Sequence, residues 1–236
     1  MEYLPAGNLL DLLTDDDVSK LPIPLRHKFC RDIADGIRFL HGEHDGKRMV
    51  HGDLKLENIL LSGNLVCKIA DLGSAQISTI TGLTSITNSS HATGHTAMYA
   101  APEKLANALM ESTRAADLYS FGVIVELILT RKSVRTTEPI ASVLEDLKSN
   151  EDGRNCKIID LLGDLHVRAC ENDPKDRPTI AEVHIQLQSL DTPPDVLSAC
   201  VTQVLEDYSI ETVDSHATFT KPLKAISMPR IYGRGR

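Results

Sequence analysis

His51-Gly-Asp-Leu-Lys-Leu-Glu-Asn58 is the stretch on which the reading of this chain turns. It stands just before two short apolar runs, Ile59-Leu-Leu61 and Val66-Cys-Lys-Ile-Ala70, joined by the turn residues Ser62-Gly-Asn64. That pattern predicts a β-hairpin. Asp71-Leu-Gly73 follows directly. Two loops flanking one short hairpin bring Asp53, Lys55, Asn58 and Asp71 towards one place. Two carboxylates, an amide and an ammonium suit a site for Mg²⁺ and phosphate, because Mg²⁺ takes hard oxygen ligands from one or two carboxylates and from phosphate. A carboxylate beside a phosphate-binding lysine can also accept a hydroxyl proton as a phosphoryl group moves.

Around this stretch the pattern is helical. Leu25, Phe29, Ile33, Ile37 and Leu40 recur at four- and three-residue steps and predict one long helix. Asp117 to Leu129 is apolar almost all round, which predicts a helix buried at the centre of the fold. Ile158, Leu161, Leu162, Leu165 and Val167 predict a third helix, and Arg177 to Leu190 a fourth. The fold class expected is mainly α with a single short β-hairpin.

Composition narrows the function classes. The 236 residues carry 25 Lys+Arg against 33 Asp+Glu, a formal charge of −8, and 42% are hydrophobic. Such a chain can bury a core, and its acidity argues against a nucleic-acid partner, whose phosphates need a basic face. Phe121-Gly-Val-Ile-Val125 is the longest apolar run and is too short to span a bilayer. The N-terminus has no basic stretch of the signal-peptide kind, so a cytoplasmic location is expected. Cys30, Cys67, Cys156, Cys170 and Cys200 are scattered, never spaced C-x-x-C, and read as reduced, mostly buried thiols. The sequon Asn88-Ser-Ser90 is read as chance.

Residues 191–236 differ in kind from residues 1–190. Six acids and no Lys or Arg fall in 191–220, whereas Lys221, Lys224, Arg230, Arg234 and Arg236 follow without an acid. This charge segregation predicts a flexible tail, with a docking partner as the alternative role.

Taken together, the motifs resemble the C-terminal, large lobe of a protein kinase. The resemblance implies Asp53 as the base that orients the substrate hydroxyl and Lys55 as the cation that neutralises the transferred phosphate. Asn58 and Asp71 would be the Mg²⁺ ligands, with Leu72 where Phe is usual, and Leu60 would form the floor under the adenine of ATP. Thr96-Ala-Met-Tyr-Ala-Ala-Pro-Glu103 resembles the close of the activation segment, with Thr96 facing substrate and His95 where Gly is usual. Asp117-Leu-Tyr-Ser-Phe-Gly122 resembles the start of the central helix, whose Asp117 would receive backbone N–H groups of the catalytic loop. His51 belongs to the same structural support. Asp173-Pro-Lys-Asp-Arg-Pro178 resembles the segment whose arginine, here Arg177, pairs with Glu103. Met1-Glu-Tyr-Leu-Pro-Ala-Gly-Asn-Leu9 looks like the hinge, where Glu2 and Tyr3 would meet the adenine edge.

Each motif alone is weak: H-x-D is often a core histidine with a helix cap, and Asp-Leu-Gly is often a turn. Their order along the chain carries the resemblance. Lys55 and Thr96 favour Ser/Thr substrates in proteins, and Gly52 stands where many kinases have an arginine that receives a loop phosphate. The expected organisation is a large lobe from the hinge onward over residues 1–190, competent only with a small lobe that residues 1–236 are expected to lack. Two other readings stay open: a pseudokinase-like scaffold, disfavoured by Asp53, Asn58 and Asp71, and a small-molecule phosphotransferase, whose loop often reads H-G-D. Lys55, Ala101-Pro-Glu103 and Arg177 speak against the latter.

Overall fold

The computed structural model describes residues 4, 6–18, 20–44, 47–79, 82–85, 97–107 and 109–208. Glu2, Tyr3, Thr96, His95, the Asn88 sequon and residues 209–236 lie outside the described residues.

Eight helices are described: α1 (Leu9–Thr14), α2 (Ile23–His41), α3 (Pro102–Ala106), α4 (Arg114–Thr130), α5 (Ile140–Lys148), α6 (Gly153–Ala169), α7 (Ile180–Gln188) and α8 (Pro194–Asp207). Helix α4 is the axis. Phe121, Val123, Ile124, Val125, Leu127, Ile128 and Leu129 are all buried, and each such side chain stabilises the fold by about 1.5–3 kcal/mol relative to exposure. Thr113 caps its start by accepting the Ala116 N–H at 3.1 Å, and Arg131 ends it in the left-handed conformation at φ 53°. Helix α6 runs against α4, and α2 packs on α4, α6 and α7. The fourth helix begins at Ile180, not Arg177: Pro178 cannot continue a helix hydrogen-bond ladder, and Thr179 and Glu182 form a capping box there.

The approach of α4 to α6 depends on Gly122, where an added Cβ would stand 2.8 Å from the Ala169 Cβ and 2.9 Å from the Cys170 Sγ. Gly122→Ala gains helix propensity of about 1 kcal/mol, but overpacking of this kind costs about 1–3 kcal/mol. A net loss of stability in urea unfolding is the expected result; a stabilised variant would show that the two helices part without cost.

β2 (Ile59–Leu61) and β3 (Cys67–Ile69) form the expected antiparallel hairpin, with Ser62 accepting the Val66 N–H on its Oγ at 2.9 Å. The expectation of a single hairpin is corrected. A second antiparallel sheet of order β1-β4-β5 joins β1 (Lys47–Val50), β4 (Gln76–Thr79) and β5 (Gly82–Ser85). Its strands are short and polar, so they carry no clean apolar alternation, and β1 meets β4 across an intervening hairpin.

The expected flexible tail is corrected over residues 194–207 only, since residues 209–236 lie outside the described residues. Residues 194–207 form helix α8, which packs on α2, with Val204 fully buried. Its apolar residues Leu197, Val201, Val204 and Tyr208 recur at helical spacing and bury one face, while three of the six acids that suggested a tail, Asp195, Glu206 and Asp207, lie in its first and last turns.

Candidate active site

The loop from His51 to Asn58 is fixed from beneath by α4. Asp117, in the first turn of that helix and 1% exposed, accepts the backbone N–H of His51 on Oδ2 at 2.8 Å and that of Gly52 on Oδ1 at 2.9 Å. His41, at the end of α2, donates from Nε2 to the same carboxylate at 2.9 Å. A buried carboxylate would be costly without such partners; here three donors satisfy it.

His51 is itself fully buried and bridges two loops. Its Nδ1 accepts the Asp53 N–H at 3.3 Å, so Nε2 carries the proton and donates to the Ala70 carbonyl at 3.0 Å. The Ala70 N–H in turn donates to the Asn58 carbonyl at 2.8 Å. These two bonds bring Asp71, the next residue, beside the His51–Asn58 loop. Gly52 is required by the turn: φ is +78°, and a Cβ would lie 2.9 Å from the Ser74 carbonyl oxygen.

On this base Asp53, Lys55 and Asn58 converge. Lys55 Nζ donates to Asp53 Oδ2 at 3.0 Å, and Asn58 Nδ2 donates to the Asp53 carbonyl at 2.8 Å and to Oδ2 at 3.4 Å. The Asp53 and Lys55 side chains are 18% and 20% exposed, enough to meet a ligand from the solvent side. Because Asn58 spends its N–H₂ group on Asp53, its Oδ1 is turned away from that carbonyl. Asp71 is exposed, left-handed at φ 60°, and accepts the Gly73 N–H on Oδ1 at 3.1 Å. Among the described residues no cluster of three or more His, Cys, Asp or Glu forms a metal cage. Two oxygen-donor residues, Asn58 and Asp71, fit an ion that completes its shell with water and phosphate, as Mg²⁺ does.

Leu60, read from sequence as the floor under adenine, lies on β2. Leu60 is half-buried and forms a β-bridge with Asn8, and the Leu61 N–H donates to the Gly7 carbonyl at 2.9 Å. Leu60 and residues 7–8 are thus adjacent. Of the remaining site residues named from sequence, Glu103 and Arg177 lie below the loop as a bidentate pair, with both N···O distances 2.7 Å. Arg177 is buried and also donates to the carbonyls of Glu171, Ala115 and Asn172 and stacks over Tyr119, 5.1 Å from its centroid. Burial, the largest single influence, pushes the Glu103 carboxyl up, but the hydrogen bonds from Arg177, the backbone N–H of Glu103 and the Arg177 charge together hold the group below its ordinary value.

Two supporting side chains were not singled out from sequence. His41 gave no signal beyond a histidine at the end of an apolar helix face. Tyr99 lies within the quoted Thr96–Glu103 motif; it is buried, accepts the Leu56 N–H at 3.5 Å, and offers its carbonyl to Ser120 Oγ at 2.9 Å. It therefore links the segment that leads into α3 to both the loop and α4.

A family model described as protein tyrosine and serine/threonine kinase matches residues 1–187. The chain belongs to this protein kinase family. It is 30% identical over 190 residues to a Dictyostelium discoideum protein named as a probable serine/threonine-protein kinase, covering 80% of this chain and 42% of that protein. U-box domain-containing protein 33 of Arabidopsis thaliana is 34% identical over 193 residues, 76% of this chain and 22% of that protein. L-type lectin-domain containing receptor kinase S.1, also of Arabidopsis thaliana, is 29% identical over 199 residues, 77% of this chain and 29% of that protein. The chain spans less than half the length of each of these relatives. Among the described residues no helix is long and apolar enough to cross a membrane.

Proposed function

We propose that residues 1–190 form the large lobe of a kinase that transfers the γ-phosphate of ATP to Ser or Thr hydroxyls of protein substrates in the cytoplasm, with a small lobe covering the nucleotide. The observation that carries this reading is the Asp53 carboxylate held between Lys55 Nζ and Asn58 Nδ2 on a loop that Asp117 fixes.

In this reading Asp53 accepts a hydrogen bond from the substrate hydroxyl, orients its oxygen and takes up its proton. Lys55 then serves both the carboxylate and the charge on the phosphoryl group. Catalysis of this transfer is mostly positioning and electrostatics, so a loop fixed by buried hydrogen bonds is the main contribution of the chain. Asn58 Oδ1 and Asp71 would hold Mg²⁺, which when bound neutralises charge on the phosphate oxygens. Leu60 offers an apolar surface to the adenine ring, whose polar edge Glu2 and Tyr3, outside the described residues, would meet.

Asp71→Asn is expected to weaken Mg²⁺-dependent ADP binding by about tenfold or more, because a neutral amide is a poorer ligand for a hard cation. Titration of Mg²⁺ at fixed ADP, followed by calorimetry, should move the midpoint upward. An unchanged midpoint would remove Asp71 from the metal site.

A further inference from the structure

Helix α8 and Tyr208 lie beyond residue 187, where the family match ends, yet they belong to the folded body. Leu197, Cys200, Val201, Leu205 and Tyr208 pack against the apolar core. The helix closes with the Tyr208 N–H donating to the Val204 carbonyl at 2.7 Å. This places the phenol beside the segment that leads into α1, where Tyr208 Oη donates to the Ala6 carbonyl at 3.2 Å.

The contact falls at a narrow point. Gly7 has φ +71°, and a Cβ there would stand 3.2 Å from Asp11 Oδ2 and 3.4 Å from Tyr208 Oη. On its other side the Gly7 carbonyl receives the Leu61 N–H, and Asn8 bridges to Leu60. Residues 6–8 therefore run between the strand that carries Leu60 and the hydroxyl of Tyr208. Burial, with Asp11 and Asp15 nearby, raises the pKa of the phenol, which keeps it a neutral donor.

We infer that Tyr208 is a positioning residue that ties the C-terminal helix to the hinge-like segment, so that nucleotide occupancy and the end of α8 are coupled through the Ala6–Asn8 backbone. The coupling rests on the nucleotide site proposed above; the tie itself does not. A ligand that fixes residues 6–8 must also steady the element hydrogen-bonded to them, and the effect is reciprocal.

Tyr208→Phe removes only the hydroxyl and keeps the ring in its apolar seat. Hydrogen–deuterium exchange on residues 1–236 should show the Leu61 amide exchanging about fivefold faster in this variant, the factor set by one neutral hydrogen bond, with amides of α4 unchanged. In the parent, Mg²⁺ and ADP should slow exchange of the Tyr208 amide; in Tyr208→Phe that slowing should vanish. Leu61 exchange unaltered by the substitution, or faster exchange spread evenly along the chain, would overturn the tie. ADP that binds the parent without slowing Tyr208 would overturn the coupling. A parent that binds no ADP would count against the nucleotide site, while the Leu61 comparison would still decide the tie.

Discussion

Asp53→Ala is expected to lower kcat by about 10²–10⁴, the range for loss of a positioned general base, in residues 1–236 joined to the small lobe of a related kinase. The structure favours a clean reading of this variant. Asn58 is anchored mainly by the Asp53 main-chain carbonyl, at 2.8 Å, and the loop by Asp117 acting on the amides of His51 and Gly52. None of these bonds uses the Asp53 side chain. Truncation should therefore remove the carboxylate and free Lys55 while leaving the loop in place, so KM for ATP should change much less than kcat. Steady-state kinetics with kcat within about threefold of the parent would take Asp53 out of the proton-handling role.

The second large effect concerns stability. Glu103→Ala leaves the buried Arg177 guanidinium without its anion, and breaking a buried pair in this way costs about 3–5 kcal/mol. For a domain of this size the melting temperature should fall on the order of 10 °C. The carbonyls of Ala115, Glu171 and Asn172 still receive Arg177, which argues for the lower end of that range. The pH dependence follows from the direction of the shift. The folded carboxyl titrates below its ordinary value of 4.5, so the unfolded chain takes up the proton first as pH falls. The stabilisation is complete above that ordinary value and is lost as pH drops through the folded one. The gap between parent and Glu103→Ala should narrow in acid; a gap that stays constant to pH 3 would mean that the ion pair is not its source.

Much of this architecture is legible in the residues themselves. A run such as Phe121 to Leu129, apolar all round but for Glu126, reads as a buried element, and its length makes it a helix. The pairing of β2 with β3 follows from a turn between two apolar runs. Other parts were hidden for physical reasons. β1, Lys-Arg-Met-Val, is half solvent-facing and pairs with Gln76–Thr79, so neither period nor proximity reveals it. Helix α8 carried its signal in Leu197, Val201, Val204 and Tyr208, but the acids at either end drew the reading towards a solvated tail. In the site, side chains within one short segment were legible together, since Asp53, Lys55 and Asn58 are held by local geometry. His41 was not, because its partner Asp117 is distant in sequence and a lone histidine has no pattern.

Phosphoryl transfer from radiolabelled ATP, with protein and amino-alcohol acceptors present in one reaction, tests the central claim most directly. With a small lobe joined to residues 1–236, the proposed function predicts label in the protein fraction, released as phosphoserine and phosphothreonine on acid hydrolysis and lost with Asp53→Ala. Label confined to the amino alcohol, or protein labelling that survives Asp53→Ala undiminished, would contradict it.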